Sequence, residues 1–185
     1  MKTLSIILVI ISLFNKNVSQ NDTRKEFIDK LMIQYDEEKL ARDYYDAMYE
    51  QWNLLAFKNL AKCEDSHMKL VKALIDDYVE PNTLKLFEPG IFAEEELNNS
   101  FKELIANGKT SENKALVVAG NFEEKYIGNL EALISLPEGQ NNKECLNNLL
   151  GSSVSHLNLL VCHLRHRGID YKPTLLTVAK YIKCV

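Results

Sequence analysis

Residues 60–71 read LAKCEDSHMKLV, and they set Glu64 and His67 three apart in a run whose other seam positions, Leu60, Val71, Leu74 and Tyr78, are apolar. Side chains three or four residues apart share a helix face, so this carboxylate and imidazole point where apolar groups are buried. Burying an ionisable group without a partner is costly, so something must compensate. An anionic oxygen and a neutral imidazole nitrogen one turn apart are also the ligands that divalent transition metals take.

The same count along the other long amphipathic segments finds more ionisable residues facing inward. Glu38 falls on a stripe with Ile28, Leu31, Tyr35, Arg42, Tyr45 and Met48 or Tyr49; Glu123 on one with Leu116, Ala119, Tyr126 and Leu130; His156 on one with Leu146, Leu149, Ser153 and Leu160. Glu124 sits about 100° round from Glu123 and leaves the seam. Several carboxylates gathered in a dry interior cannot all stay ionised, because like charges repel strongly at low effective dielectric. A pair of divalent cations supplies the missing charge. In carboxylate-bridged bundles, two helices each give a Glu and two give Glu-x-x-His. Glu64-Asp-Ser-His67 is one complete Glu-x-x-His.

Positioning these residues takes helices. The chain has seven Gly and four Pro, and between them apolar residues recur every three or four positions. The spacing predicts helices over about 23–51, 54–79, 110–136 and 142–167, with a short amphipathic piece over 94–106 and a last helix over 174–183. Thr110-Ser111-Glu112 suits a helix start, and Arg165, His166 and Arg167 suit a helix end before Gly168. Pro81, Pro89-Gly90 and Asn107-Gly108 punctuate the long connection, and PEGQNN (137–142) reads as a turn. Four helices of roughly 25 residues, about 37 Å long at 1.5 Å per residue, form an all-α four-helix bundle. Two short links and one long crossover define the ferritin-like connectivity.

The 185 residues bound one domain. Lys2 followed by an apolar run from Leu4 to Phe14 reads as a signal peptide over 1–19, cut after Ser19, with the bundle domain over 20–185 and a secreted product. Losing Lys2 and Lys16 takes the formal charge from −4 to −6, which argues against nucleic-acid and anionic-membrane surfaces and leaves room for cations. In an oxidising compartment Cys63, Cys145, Cys162 and Cys184 lead to an expectation of two disulfides. Asn21-Asp-Thr and Asn98-Asn-Ser are glycosylation sequons in a eukaryote. Gly-rich phosphate loops, GxSxG, HExxH and CxxCH are all absent, so nucleotide chemistry, nucleophilic hydrolysis and c-type haem attachment have no apparatus here.

The blocks EEKLARDYY, EDSH followed by MKLVKALIDDY, GIFAEEEL, KALVVAGNFEEKYIGNL and GSSVSHLNLL resemble, in consistent order over 27–173, a ferritin-like, rubrerythrin-related family catalogued as a domain of unknown function. The resemblance implies a di-metal carboxylate fold with Glu38, Glu64, His67, Glu123 and His156 as ligands. It also implies iron, with manganese as the alternative metal, and chemistry with dioxygen or peroxide. Two positions depart from the pattern: Ser153 stands where a second Glu-x-x-His would begin, and Tyr126 stands where the family carries an Asp. A phenol with a pKa near 10 is a poor ligand for ferrous iron, so these departures weaken one metal position.

His163, two turns from His156, reads as a boundary residue, and Tyr35, Tyr44, Tyr45 and Tyr49 read as core packing. The expected function is a secreted metal-binding bundle with iron-dependent oxidoreductase, ferroxidase-type activity. The competing expectation is a non-catalytic secreted bundle that works by partner binding and keeps a degenerate metal site.

Overall fold

A computed structural model describes the backbone of residues 3–80 and 83–185, and side chains from residue 21 onward over the same span. The expected leader over 1–19 and Pro81 lie outside the residues whose side chains are described. The described residues form helices joined by loops, with no strand among them: α1 (Thr3–Trp52), α2 (Leu55–Asp76), α3 (Glu95–Gly108), α4 (Glu112–Ser135), α5 (Pro137–Asn141), α6 (Lys143–His166) and α7 (Val178–Cys184). Helix α1 starts well before the expected Thr23, because no Gly or Pro interrupts the chain before Trp52. It stops at Asn53, whose φ of 52° is a left-handed conformation that Asn tolerates, and whose amide donates back to the Tyr49 carbonyl.

The PEGQNN segment is a helix rather than a turn: Pro137 occupies the first turn of α5, where its missing N–H costs nothing. Ser111 caps α4 as expected, its Oγ accepting from the Lys114 amide at 3.1 Å. At the other end of α6, Gly168 takes φ +72°, and the Arg167 side chain pairs with Glu112 at the start of α4. These contacts pin the ends of one hairpin.

Two apolar clusters fill the bundle. One gathers Leu40, Tyr44, Tyr45 and Met48 of α1, Phe57, Leu60 and Ala61 of α2, Leu116 to Ile127 of α4, and Leu157 to Leu164 of α6. The other gathers Phe27, Leu31 and Tyr35, then Met68 to Ile75, Leu130 and Leu133, and Leu146 and Leu149. Along α1 and α6 the chain passes from the second cluster to the first; along α2 and α4 it passes from the first to the second. Hence α1/α2 and α4/α6 are antiparallel hairpins, and residues 77–111 must cross the length of the bundle to join the parallel α2 and α4. This single crossover is compatible with a ferritin-like bundle. No helix among the described residues is long and apolar enough to cross a membrane.

The EEKLARD stretch ties these parts together. Glu37 accepts from Asn129 and pairs with Lys125, both on α4. Lys39 and Asp43 form a buried ion pair at 2.6 Å whose other bonds run to the Glu88 carbonyl and the Gly90 amide of the crossover. Arg42 pairs with Asp43 and reaches Asp65 of α2.

The two expected disulfides are not formed: all four cysteines are free. Cys63 and Cys162 are exposed on different helices, while Cys145 packs against the second apolar cluster and Cys184 against the first. The Asn98 sequon has a structural role: its side chain bonds the Phe92 amide and carbonyl and the Glu94 carbonyl.

Candidate metal centre

The gap between the two apolar clusters is where the polar seam residues meet. Glu38 of α1, Glu64 and His67 of α2, Glu123 of α4 and His156 of α6 all converge there, every one buried except His67, which keeps a sliver of exposure. They form two groups of three, Glu38/Glu64/His67 and Glu64/Glu123/His156, in each of which one ligand atom per residue lies within 4.8 Å of the others. Glu64 belongs to both. Its Oε2 is 2.7 Å from His67 Nδ1, and its Oε1 is 3.0 Å from His156 Nδ1. His67 Nδ1 also lies 3.3 Å from Glu38, and His156 Nδ1 3.5 Å from Glu123. The two imidazole rings stack with centroids 5.5 Å apart.

Three ligand atoms in this cluster are buried and make no hydrogen bond: Glu64 Oε1, Glu123 Oε2 and His156 Nδ1. The 3.0 Å approach between Glu64 and His156 is therefore close but misaligned. A buried polar atom without a well-formed hydrogen bond costs about 1–3 kcal/mol, and three such atoms belong to the one Glu64/Glu123/His156 group. Oxygen and nitrogen donors converging without hydrogen bonds are what a coordinated cation requires, so the residues present fit a metal ion.

Electrostatics carry the same mark. Burial pushes Glu38 up, and the Glu64 charge adds to it. Burial would also raise Glu64, but His156 and His67 beside it prevail and hold it well below the usual range. Glu123 is raised, by burial first and then by Glu64. Both histidines run against burial, which alone would lower them: Glu38 and Glu64 lift His67 to about 10, and Glu123 and Glu64 lift His156 to about 11. Without a metal, protonated imidazoles therefore stand in for the cationic charge that the carboxylates need.

All five residues expected from the seams are brought together. His163 is not: it sits beside Arg167, outside the cluster. Tyr126 turns away, donating at 2.6 Å to the Glu37 carbonyl, and Ser153 is buried beside the cluster with no carboxylate to offer. Tyr35, Tyr44 and Tyr45 pack in the core as expected, and the Tyr45 hydroxyl in addition donates to Glu123 Oε1 at 2.6 Å. Two further residues escaped the seam count. Gln34, one turn before Glu38 and buried, donates from Nε2 to Glu38 Oε1 at 2.7 Å; Ser152 Oγ lies 3.3 Å from His156 Nε2. Their i, i+4 spacing to a ligand was the available signal. Glu124 is also buried, but it serves the C-terminal segment, accepting from the amides of Thr174, Leu175 and Leu176.

The chain is similar to the uncharacterized protein MJ0754 of Methanocaldococcus jannaschii, with 34% identity over 146 residues, 79% of each chain. The crystal structure of that hypothetical protein superposes with a TM-score of 0.79 at 32% identity, covering 85% of this chain and 90% of the other. Residues 27–185 match the uncharacterized protein domain DUF2202, and the chain belongs to that family.

Proposed function

We propose that this protein binds two metal ions, iron in the first instance with manganese as the alternative, and uses them in redox chemistry with dioxygen or peroxide. The observation that carries this reading is the convergence of two buried carboxylate/imidazole groups that share Glu64. Glu38 and His67 would hold one ion, Glu123 and His156 the other, with Glu64 shared. Iron, when bound, supplies one electron per ion, so a pair takes peroxide to two waters with uptake of two protons. The chain's own part is to keep the ligands preorganised: Gln34 holds Glu38, Tyr45 holds Glu123, and Ser152 backs His156.

Ser153 and Tyr126 favour a second reading, in which one position is weak and the bundle acts by binding a partner. Anaerobic ferrous loading followed by peroxide or oxygen separates the two. Ferric absorption that forms in the wild type and is lost in Glu64→Ala supports the redox reading; loading without any oxidation leaves the partner-binding reading. The leader reading places either activity outside the cell.

A further inference from the structure

A second group of ligand-type side chains lies near the C-terminal end of α6, outside the metal centre. Cys162 and His166 sit one turn apart, both exposed, with Cys162 Sγ 3.5 Å from His166 Nδ1. A tetrahedral zinc ion, with bonds of about 2.3 Å to sulfur and about 2.0–2.1 Å to nitrogen, sets those two atoms about 3.5 Å apart. The thiol and the imidazole therefore already span one edge of such a tetrahedron. His166 Nδ1 is also 2.8 Å from the Cys162 carbonyl, which can only accept, so in the metal-free chain the ring proton points there. A metal ion takes that proton's place, the proton moves to Nε2, and water serves the exposed carbonyl instead.

One edge leaves two corners open. Among the described residues no third thiol, imidazole or carboxylate joins this pair. His163, next in sequence, meets the guanidinium of Arg167, which disfavours a cation there. The outer face of α6 supplies a way to close the site. Leu159, Cys162 and His166 stand three and seven residues apart on one stripe, and Leu159 is 39% exposed. A second copy of α6 laid on this stripe about a two-fold axis covers both leucines and brings up the same thiol and imidazole again. The four donors then form a Cys2His2 set, and two thiolates cancel the charge of one divalent ion.

We propose that α6 carries a surface metal site of the zinc class, closed by Cys162 and His166 from two copies of the chain, so that the ion links a two-fold dimer. Each thiol gives up its proton on binding, two per ion. No residue of the metal centre takes part, so this site stands or falls apart from the redox reading.

The test uses the full chain, kept reduced with a phosphine and titrated with zinc. Zinc should double the sedimenting mass, and a chelator should restore the single chain. Cobalt in its place should give a thiolate-to-metal charge-transfer band, which the metal centre cannot give because it contains no cysteine; the band should saturate at half an ion per chain. Cys162→Ser and His166→Ala lie on an exposed helix face, so both should keep the helical spectrum and lose the doubling and the band. Glu64→Ala should keep both. Leu159→Glu, which changes no ligand but sets two carboxylates against each other, should raise the chain concentration needed for doubling about tenfold or more. Several results overturn the proposal: no thiolate band, a band that saturates at one ion per chain with the mass unchanged, a doubling that survives Cys162→Ser or resists the chelator, or a doubling indifferent to Leu159→Glu.

Discussion

At the scale of single residues, Glu64 is the hinge of the site because it alone faces both imidazoles. Its neighbours are held from behind, and the supports differ in what they cost to remove. Tyr45→Phe takes the donor from Glu123 Oε1 and leaves a buried acceptor unpaired, so we expect a loss of about 1–3 kcal/mol in urea unfolding of the metal-free protein. Protonation gives a second prediction. His67 and His156 titrate near 10 and 11 in the fold against an ordinary 6.5, so their stabilisation is complete below pH 6.5 and is lost as pH climbs toward those values. Glu64 is lowered, so its stabilisation is present above the ordinary carboxylate value and fades as pH falls below it. The melting temperature of the metal-free protein should therefore decline from about pH 6.5 to 9. Because metal must displace the imidazole protons, stabilisation by added metal should grow over the same range. A metal-free melting temperature that rises across that range contradicts these assignments.

At the scale of elements, the seam count located all five converging residues because helical phase is a local property: once Leu60 and Val71 are buried, Glu64 and His67 must face the same way. What it could not show depends on neighbours. The role of Tyr45 exists only because α4 brings Glu123 to its hydroxyl. Gln34 reads as an ordinary polar residue until Glu38 is placed. The PEGQNN segment has turn composition, and only the packing of α5 on α1 and α4 makes it helical. The disulfide expectation came from a presumed compartment rather than from geometry, and geometry went the other way. The crossover offers its own test. Lys39 and Asp43 are both buried, and breaking such a pair by removing one partner costs about 3–5 kcal/mol. Asp43→Ala should show that loss, together with faster amide exchange at Gly90, which it holds at 2.8 Å. At the end of α3, a Cβ on Gly108 would meet the Tyr44 hydroxyl and come within 2.6 Å of Met48 Sδ, so Gly108→Ala should cost about 1–3 kcal/mol by overpacking.

At the scale of the whole molecule, the bundle is two apolar halves with a polar layer between them, and that layer makes sense as structure only if something satisfies it. Protonated histidines do so in part, and bound metal ions would do so more completely. The secreted reading adds that the mature chain should lack residues 1–19, which the intact mass of protein recovered from a secreting host checks directly. The central claim is that five side chains on four helices form one centre of two positions sharing Glu64. Metal content per chain after anaerobic ferrous loading and desalting tests it most directly, in the wild type, Glu38→Ala, Glu123→Ala and Glu64→Ala. The account predicts two irons in the wild type, about one in each of the first two variants, and none in Glu64→Ala with the helical spectrum retained. A folded wild type that retains no iron, or a Glu64→Ala protein that binds as much as the wild type, would contradict it.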